Sequence, residues 1–534
     1  MSMAPFTLDG LPEELWLAVL SHLPKGDLYN LIQTNSAVYA LGLQVLYRHI
    51  IISTKTLKSC LPLFMRGYNP GARFREKLHE TSYLYYLIIS ALSTFRKRVP
   101  LLDRVPLPSV NTFDAFVSFG ASIANMSLIF PRTPRNMLEK CHPPNMNLIP
   151  RSVFVSGPIR GDQRFLNIAF FLLSTFRNLE VVSFLWVDMR YQLFPLDLPN
   201  LRYLSLEGDG RKILPDFSPV TKCDLSTFTL RNYRWWRDLY DLPFESAPGP
   251  STMAIHELAF TPSIQILELE WHPLVAEYVV KSKIGRLAAL VELSLYIRGR
   301  DGKKIMKPTD SDDFVMMEGL SHILRASPAL ASLRIEGYLP EFSMGAPLSL
   351  QLPCLQTYIG PATLLPVLDL QTLDNIMCTI PHPIDIGFLS TAFARYITLP
   401  GIIKFGVTVK VGDISELLSM LTGLMPNVEH LVILKADEDS PELHSLEPDE
   451  ITLNLAELHL SAFSKLTKVH MHLIQDSDFR LRTSHRVMCE ESQAPDIREA
   501  WQEHIPGVRE LKLMNKRFVW RRESADGRWK SCMG

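Results

Sequence analysis

One short pattern returns along most of this 534-residue chain and limits what it can fold into. An apolar residue is followed three positions later by a second and two positions after that by a third. It reads NLEVVSF from Asn178, NLRYLSL from Asn200, SIQILEL from Ser263, ALVELSL from Ala289 and ALASLRI from Ala329. Further on come NVEHLVI from Asn427, KLTKVHM from Lys465 and GVRELKL from Gly507, with a weaker DLSTFTL from Asp224. The last two apolar positions alternate as strand residues do, so both side chains point to one face. The stretch Ile414 to Leu434 shows a complete unit: an amphipathic helix, a Met425-Pro426-Asn427 turn and a strand.

Helix and strand alternating in self-similar units predict parallel strands stacked one beside the next, with helices returning the chain. The steps are uneven. Leu179 to Leu201 is 22 residues and Ile264 to Leu290 is 26, within the range of a leucine-rich repeat, whereas Leu290 to Leu330 is 40. Between Leu330 and Val428 the spacing predicts hidden, degenerate units near CLQTYIG and IIKFGVTV. The expected class is therefore α/β, a curved leucine-rich-repeat solenoid with irregular repeats over 161–520. Residues 51–160 read as an irregular bridge or degenerate early repeats, and 521–534 as a C-terminal tail.

Ahead of the repeats stands LPEELWLAVLSHLPKGDL, beginning at Leu11. Pro12 suits a first helical turn, and Glu13 and Glu14 favour its positive end. Leu15, Trp16, Val19, Leu20 and Leu23 share a broad face, and Leu17 lies off it. Asp27 can cap a second helix carrying Leu28, Leu31 and Ile32, and a third runs through Val38, Leu41, Val45 and Leu46. Three short helices make too small a core to stand alone, so their surplus apolar surface must be covered by the rest of the chain or by a partner.

Leu11-Pro12, Leu15, the Leu20 to Leu23 stretch, Asp27-Leu28 and the closing Leu46-Tyr47-Arg48 together resemble an F-box. The LYRHI ending is similar to F-box proteins of filamentous and mushroom-forming fungi, where it leads into the first strand of the next domain. The third helix departs from many F-boxes, with Val38 near their tryptophan position. The divergent repeats also resemble the leucine-rich-repeat domains attached to fungal F-boxes. The resemblance places an F-box at residues 8–50. It implies a substrate-recognition subunit of a Skp–cullin–F-box ubiquitin ligase, binding a Skp-family adaptor, and through it a cullin. The docking residues it implies are Leu11, Pro12, Leu15, Leu20, Leu23, Leu28 and Leu31. The solenoid would hold an unknown protein target. The rival readings are a non-ligase scaffold whose helices only cap the repeats, and an enzyme with an unrecognised site in 51–160 or the 330–428 gap.

Composition narrows the rest. A net charge of −1 gives no global pull toward nucleic acid or anionic membranes, and neither partner is expected. The seven cysteines are scattered without the close spacing of a zinc clip. MSMAPFTLDG has neither a basic start nor an apolar run, so no secretory leader is expected and the chain is assigned to cytoplasm, nucleus or both. Phosphate-loop, dinucleotide, nucleophile-elbow and zinc-protease motifs are missing, and neither cofactor nor catalytic residue is expected. His470 and His472 share a strand face as metal ligands can, but two histidines make half a site. RNYRWWRDLY, Arg231 to Tyr240, mixes arginines with Trp235 and Trp236 as contact surfaces do. Residues alternating with the inward leucines should line the concave strand surface, away from the core: Glu207, Glu268, Glu270, Tyr296 and Glu336, then His470, His472 and Lys512. That face is expected to be acidic in its middle, to grip a basic element of a target, and more basic toward its C-terminal end.

Overall fold

The computed structural model describes residues 13–34, 36–46, 48–53, 150–156, 173, 176, 178–185, 193–194, 198–212, 216–217, 223–233, 258–282, 284–297, 310–337, 339, 350, 352–378, 384–410, 413–436, 459–474, 505–514, 518–524 and 527–533. The chain is mixed α/β, and its strands form a mostly parallel sheet that does not close. It divides into two compact units: residues 1–225 with 232–258, and residues 226–231 with 259–534.

The first unit opens with three helices, α1 (Glu13–Ser21), α2 (Lys25–Thr34) and α3 (Ser36–Leu46). Leu20, Leu28, Ile32, Val38 and Leu41 are buried among them. Gly42 lets α3 approach α2, since a Cβ there would lie 2.0 Å from Ile32 Cγ2. The strands are β1 (His49–Ile52), β2 (Ser152–Ser156), β3 (Val181–Leu185), β4 (Leu193–Phe194), β5 (Tyr203–Lys212) and β6 (Asp216–Phe217). β1, β2, β3 and β5 run parallel in that order, while β4 and β6 pair separately. Ile52, Val155, Phe184 and Leu206 stand in register as one fully buried row.

The second unit continues the theme with β7 (Thr227–Tyr233, of which 227–231 belong here), β8 (Ile266–Trp271), β9 (Glu292–Ile297), β10 (Ser332–Glu336), β11 (Thr357–Ile359) and β12 (Asn375–Cys378). Then follow β13 (Lys404–Lys410), β14 (His430–Ala436), β15 (Lys468–Ile474) and β16 (Glu510–Met514), all parallel and neighbours in chain order. The return segments include α4 (Pro273–Ser282) before β9, α5 (Asp310–Ala326) before β10, α6 (Ile386–Phe393) before β13 and α7 (Ile414–Leu424) before β14. Tyr358, Ile376, Phe405, Leu431, Val469 and Leu511 form one buried row across six strands. Burial pushes the Cys378 thiol, on the same face, up to about 12.

A repeated backbone device sets this register. The amides of Val291 and Glu292 both donate to the Gln265 carbonyl, and those of Ala331 and Ser332 to the Val291 carbonyl. The same doublet links Ala331 to Gln356, Gln356 to Asp374, Asp374 to Ile403, Ile403 to Glu429 and Glu429 to Thr467. Just ahead of each strand the chain turns tightly, as where the Leu290 amide donates to Leu287 and that of Leu355 to Leu352. The turns bury a further apolar position three residues before the first leucine: Leu198, Leu287, Leu352, Leu370, Leu399, Met425, Phe463 and Ile505.

Three expectations change. The 330–428 gap holds three strands where two were expected; the additional one is β12, opened by Leu373. Its return from β11 is made by short 3₁₀ segments, Ala362–Val367 and Leu370–Thr372, which rise faster per residue than an α-helix. That explains why this unit is short and its pattern hard to see. Second, the alternatives left open for 51–160 narrow: β2, within that range, and β1, at its start, join the parallel strands as degenerate early repeats would. Third, 521–534 is no appended tail: β17 (Phe518–Arg521) and β18 (Lys530–Met533) pair antiparallel and finish the sheet. Arg522, 4% exposed, donates to the carbonyls of Ile505, Pro506 and Val508 and lies 4.8 Å over the Trp529 ring. Its guanidinium thereby satisfies the carbonyls of the turn ahead of β16.

Candidate functional site

Residues alternating with the buried row face the other side of the sheet, and two groups of them interact across strands. On β7 to β10, Arg231 Nη2 lies 2.6 Å from Glu268 Oε2, and its guanidinium sits 4.5 Å over the Tyr296 ring. Arg334 and Glu336, two residues apart on β10, form an ion pair. Register places Glu270, Tyr296 and Glu336 side by side. Burial, then the neighbouring Glu268 and Glu336 carboxylates, push the Tyr296 phenol up to about 12 against the opposing pull of Arg231 and Arg334.

This corrects the expected acidic grip. Glu268 and Glu336 are held by the chain's own arginines, and Glu270 and Tyr296 are only 2% and 8% exposed. The middle of the face thus offers little free negative charge. Arg334 was legible, since it shares a face with Glu336 two residues on. Glu207 lies on β5 in the first unit and is half-buried. Trp235 and Trp236 lie outside the described residues.

The second group spans β14 to β17. His430 Nε2 lies 3.3 Å from His470 Nδ1, His470 Nε2 lies 2.9 Å from Glu510 Oε1, and Arg521 Nε donates to Glu510 Oε2 at 2.8 Å. The two imidazoles meet edge to face, centroids 4.6 Å apart. Burial, then the His470 ring and the lysines Lys404 and Lys468, lower His430 to about 4. Burial also lowers His470, with Lys512 and Lys468 adding to the effect and Glu510 opposing it. Both rings are therefore neutral at neutral pH. His470, which the sequence shows only as half of a possible metal pair with His472, makes this chain of contacts instead; no metal-holding cluster occurs among the described residues. Sequence reasoning missed His430, Glu510 and Arg521 because each pairs with a residue 11 or 40 positions away. The available signal was positional: His430, Lys468 and Glu510 each stand two residues after the first leucine-type position of their units.

In the N-terminal helices, Leu15 and Val19 are each 51% exposed, one turn apart on α1. Leu20 and Leu28 are buried, so these two of the expected docking residues belong to the helices' own core and not to a docking face. Leu23 and Leu31 are half-buried, and Leu11 and Pro12 lie outside the described residues.

No protein-family model matches the chain, and no curated protein matches it. Among the described residues no helix is long and apolar enough to cross a membrane.

Proposed function

We propose that the chain is the target-recognition subunit of a Skp–cullin–F-box ubiquitin ligase, with α1–α3 as its F-box and the parallel strands as a leucine-rich-repeat solenoid. The observation that carries the reading is the Leu15–Val19 pair. The three helices complete an internal core, yet α1 keeps these two apolar side chains half out of water. An apolar pair left exposed on a small helical unit fits docking to an apolar partner groove better than capping. The solenoid reading is supported by strand order following chain order and by the repeated carbonyl doublet between units. Such a subunit works by proximity, raising the effective concentration of a bound target at a ubiquitin-loaded partner, and needs no catalytic side chain of its own.

The test is capture of a purified Skp-family adaptor by the full-length chain. Burying the exposed halves of Leu15 and Val19 is worth about 2 kcal/mol. Leu15→Asp with Val19→Asp should therefore weaken capture by about 30-fold or more while the helical circular dichroism is kept. Leu20→Asp is the wrong probe, because it would unfold the helices. Failure of the wild-type chain to capture the adaptor refutes the ligase reading and leaves the scaffold.

A further inference from the structure

The face that carries His430 and His470 also carries several lysines that have no ion pair among the described residues. Lys404, His430, Lys468, Glu510 and Arg521 stand in register across β13 to β17. Lys512 stands in the next row, beside His470. Four cations and one carboxylate thus stand in these two rows, and that carboxylate is spent on both oxygens, one toward His470 and one toward Arg521. Among the described residues Lys404, Lys468 and Lys512 have no ion pair. Their charges also disfavour protonation of the histidines, Lys404 and Lys468 at His430, and Lys468 and Lys512 at His470.

Alongside the cations runs an apolar strip. Ile359, Met377, Gly406 and Val432 stand in register, one row over on the same face and continuous with His470 and Lys512; Ile359 and Met377 are half-exposed, Gly406 and Val432 buried. Gly406 makes the strip continuous: a Cβ there would lie 2.3 Å from Met377 Sδ, so the missing side chain leaves the room that Met377 fills. The two rows are about 7 Å apart along the strands, and alternate strands are about 10 Å apart.

We infer that the β13–β17 face and the adjoining β11–β12 edge of the strip bind an acidic, partly apolar segment of a partner protein, its carboxylates on Lys404, Lys468 and Lys512 and its apolar side chains on the half-exposed Ile359 and Met377. The spacing suits an extended segment, in which carboxylates three residues apart span about 10 Å. The half-buried His430 and His470, linked to Glu510, form a floor between the lysines that adds no negative charge of its own. A nucleic acid fits less well. Apart from histidines, no aromatic residue stands on this face of β13–β17 among the described residues to offer a base a stacking platform. The inference names the target chemistry of the proposed recognition subunit but rests on this face alone, so loss of adaptor capture and loss of peptide binding are separately observable.

The experiment is fluorescence anisotropy of the full-length chain with a labelled peptide of about fifteen residues alternating glutamate with leucine and alanine. Parallel probes replace every glutamate with glutamine, replace every glutamate with lysine, or substitute an oligothymidylate of similar charge. The wild type should bind the glutamate peptide, and binding should weaken as salt rises. Lys404→Glu with Lys468→Glu and Lys512→Glu should weaken it about tenfold or more, as three exposed charge pairs imply. The reversed variant should gain affinity for the lysine peptide, which shows that it remains folded. Arg286→Glu, on a loop away from the face, should leave binding within about twofold. The inference is overturned if the glutamate peptide is not bound, or if reversal of the lysines changes nothing. It is equally overturned if the oligothymidylate binds as tightly through the same three lysines, because the face would then read charge density alone.

Discussion

Substituting Gly319 with alanine sets two principles against each other. Gly319 lies within α5, where alanine is favoured over glycine by about 1 kcal/mol on helix propensity. A Cβ at this position, however, would lie 2.7 Å from Ala276 Cα and Cβ and 2.9 Å from the Ala276 carbonyl oxygen. Carbon pairs normally rest about 3.5–4.0 Å apart, so α5 must retreat from α4 by about 1 Å. The obstacle is largely backbone, and no rotamer change relieves it. Overpacking of this size costs about 1–3 kcal/mol, so Gly319→Ala should lose about 1 kcal/mol net. The retreat also strains the contact in which Trp271 Nε1 donates to the Met316 carbonyl at 3.3 Å, tying α5 to β8 beneath the Arg231–Glu268–Tyr296 group. Gly423, near the end of α7, is the control: nothing lies within 4 Å of its Cβ, and Gly423→Ala should gain about 0.5 kcal/mol. Because two compact units need not unfold together, hydrogen exchange by mass spectrometry over 310–326 and 414–424 is the right assay. Faster exchange in the first segment for Gly319→Ala, and slower in the second for Gly423→Ala, is the expected pair. Equal or greater protection at 310–326 in Gly319→Ala would refute the close approach of α4 and α5.

Acidification should destabilise the second unit between pH 6.5 and about 4. His430 and His470 take protons more readily unfolded than folded, so stability is full above 6.5 and drains as pH falls toward 4. Burial pulls Glu510 up, but hydrogen bonds from His470 and Arg521 outweigh it, so its contribution is lost below 4.5 in the same direction. Urea midpoints measured across this range should fall in the wild type and flatten in His430→Gln; parallel profiles would refute the assignment. Arg522→Met should cost about 3 kcal/mol by orphaning the carbonyls of Ile505, Pro506 and Val508, read as faster amide exchange across β16–β18. Unchanged exchange there would mean that Arg522 is not what holds the turn ahead of β16. Gly337→Ala should cost about 2 kcal/mol in thermal and urea unfolding, since φ is +119° and the new Cβ would lie 2.8 Å from Ile297 Cβ; a neutral result contradicts the tight exit from β10.

Much of the fold was legible because the repeat writes burial at fixed offsets. Leu201, Leu204 and Leu206, or Leu330, Leu333 and Ile335, are as buried as their spacing demands. The units that escaped notice are those whose chemistry is atypical. Leu373, Ile376 and Cys378 fill the same offsets in TLDNIMC, but a cysteine ends the row and a 3₁₀ return shortens the step. The candidate sites were less legible for a different reason. Alternation placed Glu268, Tyr296, Glu336 and His470 on the outer face, but not what stands beside them. Arg231 reaches Glu268 across a strand boundary, and His470 finds its partners on β14 and β16, each 40 residues away. An outward position is a one-chain property, whereas free charge is what remains after neighbouring strands have paired.

The same division runs through the whole protein. By itself the sequence determined the α/β alternation, the inward row of leucines and the surplus apolar surface on the first helices, because each follows from local period and side-chain type. Only the tertiary structure decided that Leu20 and Leu28 are core while Leu15 and Val19 remain exposed, that the middle glutamates are neutralised at home, and that Lys404, Lys468 and Lys512 share a face with no ion pair among the described residues. Parallel register brings residues some 40 positions apart within about 5 Å of one another, and at that distance their charges cancel or accumulate in a way that no spacing along the chain encodes.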